Sequence, residues 1–224
     1  MRKAIFWDFD GTLTESYPMW TQAVTEAAAP FAQEYGVTFD KLRPFMARGF
    51  PWHADGDPTL TGEAWWKDRV EKFTAAYESF GVPKPLAEQA ARTVREKILD
   101  PRRYRVYPDA AATLALCAYK GYRNYLFSDN FPELPQLLEK LYLRQFFLGC
   151  LVSGQVGLCK PDVRFFRKAE LAAHFPQRIW IVGDNPSADI EGGKRAGWHT
   201  VQVHRQDGDG ELAVPTLTDV WRHL

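Results

Sequence analysis

"IFWDFDGTL", residues 5–13, is the stretch on which the fold turns. Ile5, Phe6 and Trp7 are apolar and favour β structure. The run breaks at Asp8 and Asp10, with one residue between them, and Gly11-Thr12 follows. Carboxylates at the end of a buried strand lose hydration and repel each other. Such a pair needs compensation from elsewhere in the chain.

Residues 4–8 read as a buried strand. Beyond them the strand signal is absent up to residue 100. MWTQAVTEAAAPFAQEY (19–35) reads as a helix bent or restarted at Pro30, and 40–48 as a short helix. RGFPWHADGDPTLTG (48–62) is a loop dense in Gly and Pro, and 63–80 and 86–99 read as helices. The pattern then changes. Asp109 is a candidate N-cap for a helix stopped at Gly121. Strands are expected at 122–127, 150–153, 178–183 and 199–203. Helices are expected between them at 132–143, 161–174 and 188–197. This alternation predicts an α/β fold, a Rossmann-like doubly wound parallel sheet covered on both faces. Residues 1–14 plus 101–224 are expected to form the core domain, and 15–100 an inserted all-helical cap.

Of the 224 residues, 46% are hydrophobic and 25% charged, as in ordinary globular chains. Lys+Arg and Asp+Glu both number 28, so nothing favours nucleic acid or an anionic membrane surface as partner. No apolar run approaches the roughly 20 residues that span a bilayer. MRKAIFWDFD meets acid too soon for a secretory signal. Cys117, Cys150 and Cys159 show no paired spacing, which suggests reduced thiols in a cytoplasmic protein.

In an open parallel sheet, ligands bind beyond the carboxyl ends of the strands. The first strand is followed by Asp8 and Asp10, the second by Ser128-Asp129-Asn130. Lys160 lies downstream of the third. The fourth is followed by Asp184-Asn185, with Asp189 five residues on. Carboxylates gathered at one rim call for a cation, and oxygen-only ligands point to a hard ion such as Mg²⁺. Lys160 and the Ser128 hydroxyl then suit a phosphoryl group. Singly, each residue also has an ordinary structural role. Asp10-Gly11 makes a turn, Ser128 or Asp189 caps a helix, and Lys160 is a solvated surface lysine.

Taken together, DFDGT (8–12), Ser128 in LFSDN, Lys160 in CKPD and GDNPSAD (183–189) resemble the four motifs of the haloacid dehalogenase superfamily. The resemblance extends over essentially the whole chain. It implies that Asp8 is the nucleophile and Asp10 the general acid and base. Ser128, Asp129, Lys160 and Gly11 would bind phosphate, the last through its backbone N–H together with that of Phe9. Asp8, the Asp10 carbonyl and Asp184 would hold Mg²⁺, with Asp189 and Asn185 behind them. Superfamily dehalogenases lack the second acid, because a halide leaves without a proton. The expected activity is therefore Mg²⁺-dependent hydrolysis of a small phosphorylated metabolite through an aspartyl-phosphate. Phosphosugar mutase-type transfer and a non-catalytic phosphate-binding role are the alternatives.

The position of the insertion resembles that of the helical-cap members, including the branch named for a rhythmically expressed fly gene, phosphoglycolate phosphatases and nucleotidases. Such a cap would cover the site and exclude water. Arg48, Phe50, Trp52 and His53 in its loop are candidate readers of a small substrate, Phe50 and Trp52 being equally suited to packing the cap's own interior.

Overall fold

The computed structural model describes residues 2–224. Among these residues, β1 (Lys3–Trp7), β2 (Tyr122–Ser128), β3 (Gly149–Val152), β4 (Arg178–Gly183), β5 (His199–Val203) and β6 (Leu212–Val214) form one sheet. Every pairing is parallel, and the spatial order is β3-β2-β1-β4-β5-β6. β1 thus has a neighbour on each side, with Trp7 opposite Leu126 on β2 and Val182 on β4. A central strand covered on both faces has no solvent face, so its residues need not alternate in polarity. Ala4, Ile5, Phe6 and Trp7 are accordingly all fully buried. Burying Ile5 and Phe6 contributes roughly 1.5–3 kcal/mol each. Phe6 stacks between Trp198 (4.6 Å) and Tyr125 (5.2 Å), and Phe165, Phe166 and Ile181 complete that core.

The chain divides into two units, one of residues up to Ser16 with Tyr104–Leu224, the other Tyr17–Arg103. The helical unit holds α1 (Met19–Ala27), α2 (Phe39–Met46), α3 (Gly62–Glu78) and α4 (Lys84–Ile98). Trp20, Phe50, Trp65 and Phe73 pack its interior. The sheet unit carries α5 (Ala110–Tyr119), α6 (Leu134–Lys140), α7 (Ser153–Val156), α8 (Val163–Ala172), α9 (Gly192–Ala196) and α10 (Leu217–His223). The two strands of chain that border the insertion run side by side, with Glu15 N–H donating to Arg105 O (2.8 Å) and Tyr107 N–H to Leu13 O (3.0 Å).

Several elements differ from expectation. The helix expected over 19–35 ends at Ala27, because Pro30 offers no N–H and disfavours a helical residue before it, and turns follow to Gly36. The helix expected over 132–143 is shorter, beginning only after the Pro132 region and ending at Lys140. Asp109 precedes α5 without capping it; its carboxylate instead accepts from Thr218 N–H (3.0 Å) and Oγ1 (3.1 Å) at the start of α10. β5 is not the last strand, since β6 adds three residues between an Asp/Gly-rich turn and Pro215, too few for a periodic signal.

Candidate active site

Asp8, Asp10, Gly11, Ser128, Asp129, Asp184 and Asn185 lie at or just past the carboxyl ends of β1, β2 and β4, whereas Lys160 follows β3 only beyond α7 and Asp189 lies in the turn after β4. Asp8 follows β1, and the chain then turns at once. The N–H groups of Thr12, Leu13 and Thr14 all donate to the Phe9 carbonyl at 2.9–3.2 Å. Gly11 takes φ +77, a left-handed conformation that an L side chain resists. This turn sets the Asp10 carboxyl within the fields of Asp8 and Asp184.

Lys160 is the compensating charge. Its Nζ donates to Asp8 Oδ1 (2.8 Å), Asp189 Oδ1 (2.5 Å) and the Phe127 carbonyl (3.2 Å). Lys160 is 5% exposed and Asp189 fully buried, so bulk water screens this cluster little. Burial alone would favour neutral lysine, but the charges of Asp189 and Asp8 outweigh it and hold the ammonium protonated well above its usual range. Asp129 orients the lysine from behind, its carboxylate accepting the Lys160 backbone N–H at 3.0 and 3.1 Å. Burial pushes the Asp129 carboxyl up to about 7.

Asp189 spends both oxygens on protein, one on Lys160 and the other on Asn185 N–H (3.1 Å). Asn185 in turn accepts from Ser187 and Ala188 N–H, both at 3.0 Å. The helix expected at 188–197 therefore opens as a wider π turn, Pro186–Glu191, before α9. Such turns recur where a side chain is diverted to a site.

Asp184 ends the fourth strand region. Its Oδ1 accepts from Thr12 Oγ1 (3.1 Å) and its carbonyl from Gln202 Nε2 (3.0 Å). Burial and then the charge of Asp8 raise its proton affinity. One carboxylate oxygen each of Asp8, Asp184 and Asp189 lie within 4.8 Å of one another. A Cβ on Gly11 would stand 2.5 Å from Asp184 Oδ2, so the turn is packed directly onto that carboxylate. Hard oxygen donors so close together fit a small dication. Asp8 and Asp184 are the pair with oxygens to give, Asp189 being committed.

Asp10 is exposed as a residue, yet its carboxyl is pushed up to about 7, first by lost hydration and then by Asp8. Asn130 Nδ2 donates to Asp10 Oδ2 at 2.7 Å and draws it partly back. Asn130 is itself fixed, its N–H on Ser153 Oγ (2.9 Å) and its Oδ1 on Phe131 N–H (3.0 Å). Ser128, 1% exposed, closes β2 beside it. Cys159, next to Lys160, is a buried thiol that burial pushes up to about 12, which makes it a poor nucleophile.

Arg48, Phe50, Trp52 and His53 lie in the helical unit, in the loop between α2 and α3. Phe50 is buried, stacked on Trp52 (5.0 Å) and facing the Arg69 guanidinium. Its N–H donates to His53 Nδ1 (3.2 Å), and burial lowers the His53 proton affinity. The Arg48 side chain is 77% exposed and reaches Asp55 at 3.6 Å.

Residues 2–197 match the family model of haloacid dehalogenase-like hydrolases. Over 162 residues the chain is 36% identical to a phosphoserine phosphatase of Thermus thermophilus, a match covering 69% of this chain and 62% of that protein, less than two thirds of its length. It is 28% identical over 209 residues to haloacid dehalogenase-like hydrolase domain-containing protein 3 of Bos taurus, covering 90% and 81% of the two chains. The crystal structure of a 2-haloacid dehalogenase from Pseudomonas syringae shares the fold, with TM-score 0.73, 23% identity and 98% and 96% of the chains covered.

Proposed function

Because this chain belongs to the haloacid dehalogenase-like hydrolases, we propose that it is a Mg²⁺-dependent phosphatase that hydrolyses a small phosphomonoester through an aspartyl-phosphate on Asp8. The observation that carries this assignment is the second carboxyl, Asp10, held by Asn130 at 2.7 Å beside the first. A halide needs no proton to leave, whereas an alkoxide does.

The steps follow from the side chains. A carboxylate oxygen of Asp8 attacks phosphorus, forming a new O–P bond as the ester P–O bond breaks. Asp10 gives its proton to the departing alkoxide. Asp10 then takes a proton from water, whose oxygen attacks phosphorus and releases phosphate and free Asp8. Lys160, already bonded to Asp8, offsets phosphoryl charge throughout. The Ser128 hydroxyl and backbone N–H groups at the strand ends supply donors to the remaining oxygens. Mg²⁺, when bound by Asp8, Asp184 and the Asp10 carbonyl, supplies charge neutralisation for the phosphoryl oxygens.

The test is phosphate release from p-nitrophenyl phosphate, sugar phosphates, nucleotides and phosphoglycolate, with Mg²⁺ and with chelator. Release that requires Mg²⁺ and is lost in a folded Asp8→Asn variant is the expected result. Release that survives Asp8→Asn within about tenfold removes Asp8 as nucleophile.

A further inference from the structure

His204 lies one position past β5, outside all four sequence motifs. It is a non-glycine residue in the left-handed region, with φ +59. Its ring stacks on Tyr107, centroids 4.0 Å apart and planes at 22°. Its Nε2 lies 2.9 Å from the backbone carbonyl of Thr12. A carbonyl only accepts, so Nε2 carries a proton and donates it.

The acceptor belongs to the turn that carries Asp10 and Gly11. Thr12 Oγ1 donates from the same turn to Asp184 Oδ1 (3.1 Å). Two residues before His204, Gln202 donates to the Asp184 carbonyl (3.0 Å). The end of β5 therefore holds Asp184 twice, directly through Gln202 and at one remove through His204 and Thr12. The turn presses so closely on Asp184 that a Cβ on Gly11 would meet its carboxylate at 2.5 Å. A displaced turn would take that carboxylate with it. Tyr107 braces the ring while its own N–H holds Leu13 O at 3.0 Å, so both sides of the turn are tied to the same pair. Left-handed backbone at a bulky residue persists where its surroundings over-determine it, and such places cluster near functional groups.

We propose that His204 is a positioning residue that pins the Thr12 turn against Asp184 and so holds this carboxylate in place for the cation. The inference rests on the Mg²⁺ site proposed above. His204 touches neither substrate nor reacting atoms and acts through Thr12 alone.

Calorimetric titration of Mg²⁺ into wild type, His204→Gly and His204→Gln tests it. Glycine relieves the backbone and removes the ring; glutamine returns an N–H at similar reach. His204→Gly is expected to bind Mg²⁺ about threefold to tenfold more weakly, as for one lost hydrogen bond behind a metal ligand. His204→Gln is expected to recover to within about twofold. In metal-free wild type, the ring ¹⁵N spectrum is expected to show the Nε2-protonated form, with resonances that move on adding Mg²⁺. Folded His204→Gly that binds Mg²⁺ like wild type overturns this inference alone, as does folded glutamine that restores nothing. Should His204→Gly not fold, the wild-type spectrum decides, and an Nδ1-protonated neutral ring overturns it. Wild type that binds no Mg²⁺ overturns the cation site itself and this inference with it.

Discussion

Lys160 Nζ stands 2.8 Å from Asp8 Oδ1, a contact made across 152 residues of chain. The same ammonium is the partner of fully buried Asp189. Lys160→Ala therefore leaves carboxylates uncompensated where water cannot reach them. Turnover is expected to fall by about 100-fold or more, as for loss of a transition-state donor. Stability is expected to fall by about 3–5 kcal/mol, as for a broken buried pair. Competitive inhibition by inorganic phosphate should weaken in parallel. Unchanged phosphate inhibition in the folded variant would return Lys160 to a purely structural role.

The Asn130–Asp10 bond of 2.7 Å predicts a leaving-group effect. If Asp10 is the general acid as proposed, Asn130→Ala frees its carboxyl to take other rotamers, and kcat is expected to drop about 10- to 100-fold for an alkyl phosphate, the worth of a hydrogen bond to a charged group. With p-nitrophenyl phosphate the loss should be smaller, since nitrophenolate departs with little proton assistance. Asp10→Asn should widen the same gap. Equal losses on both esters would remove Asp10 as the acid.

Gly11→Ala should be damaging out of proportion to one methyl group. The new Cβ would sit 2.5 Å from Asp184 Oδ2 at a φ of +77, and left-handed backbone costs an L residue about 1–2 kcal/mol. A lower melting temperature together with at least about tenfold weaker activity is expected. Mg²⁺ titration of the variant checks whether Asp184 is the group that moved.

Within the helical unit, Phe50 and Arg48 separate packing from recognition. Phe50 is 1% exposed, so Phe50→Ala should cost about 3–5 kcal/mol of stability in urea unfolding. Arg48→Ala removes one exposed 3.6 Å pair and should change stability by no more than about 0.5 kcal/mol. A rise in KM for physiological esters in Arg48→Ala, absent with p-nitrophenyl phosphate, then reports substrate recognition by the loop. Equal KM values on all esters assign Arg48 to the surface.

Lys72 supplies a pH signature. Its Nζ donates to Phe45 O at 2.6 Å. Burial, then the neighbouring Arg69 charge, lowers it from 10.5 to about 8. Between those values the unfolded chain binds a proton that the folded chain has lost. Stability from this group therefore rises with pH from about 8 towards 10.5. Lys72→Met should flatten that rise in melting temperature; an identical slope in both proteins would show that other groups set it.

The strands were legible because each is a β-favouring apolar run, and Asp8 and Asp184 because they follow directly on such runs at the one rim a parallel sheet offers; Lys160 lies beyond β3 and α7 and was legible only through the motif that holds it. Asn130 was not legible as a partner of Asp10, since its reach depends on a turn 120 residues away. His204 carries no signal in sequence, its backbone conformation being imposed by the Tyr107 stack and the Thr12 carbonyl. Asp109 shows the opposite case, a residue with the right chemistry for a cap whose carboxylate found a better donor in Thr218. The early end of α1 at Ala27 reflects local proline chemistry overriding a run of helix-favouring alanines.

The central place of β1 also sets the timetable of synthesis. Its hydrogen-bonding partners are Tyr122–Leu126 on one side and Arg178–Val182 on the other, while Tyr17–Arg103 lies between. On a ribosome adding roughly 5–20 residues per second, Trp7 waits roughly 10–35 s for Val182 to be made. During that wait Ile5, Phe6 and Trp7 are an unpaired apolar strand, the kind of segment that chaperones bind and that aggregates in their absence. Asp8, the proposed nucleophile, thus leaves the tunnel well before Lys160 and Asp184, the groups that come to surround it.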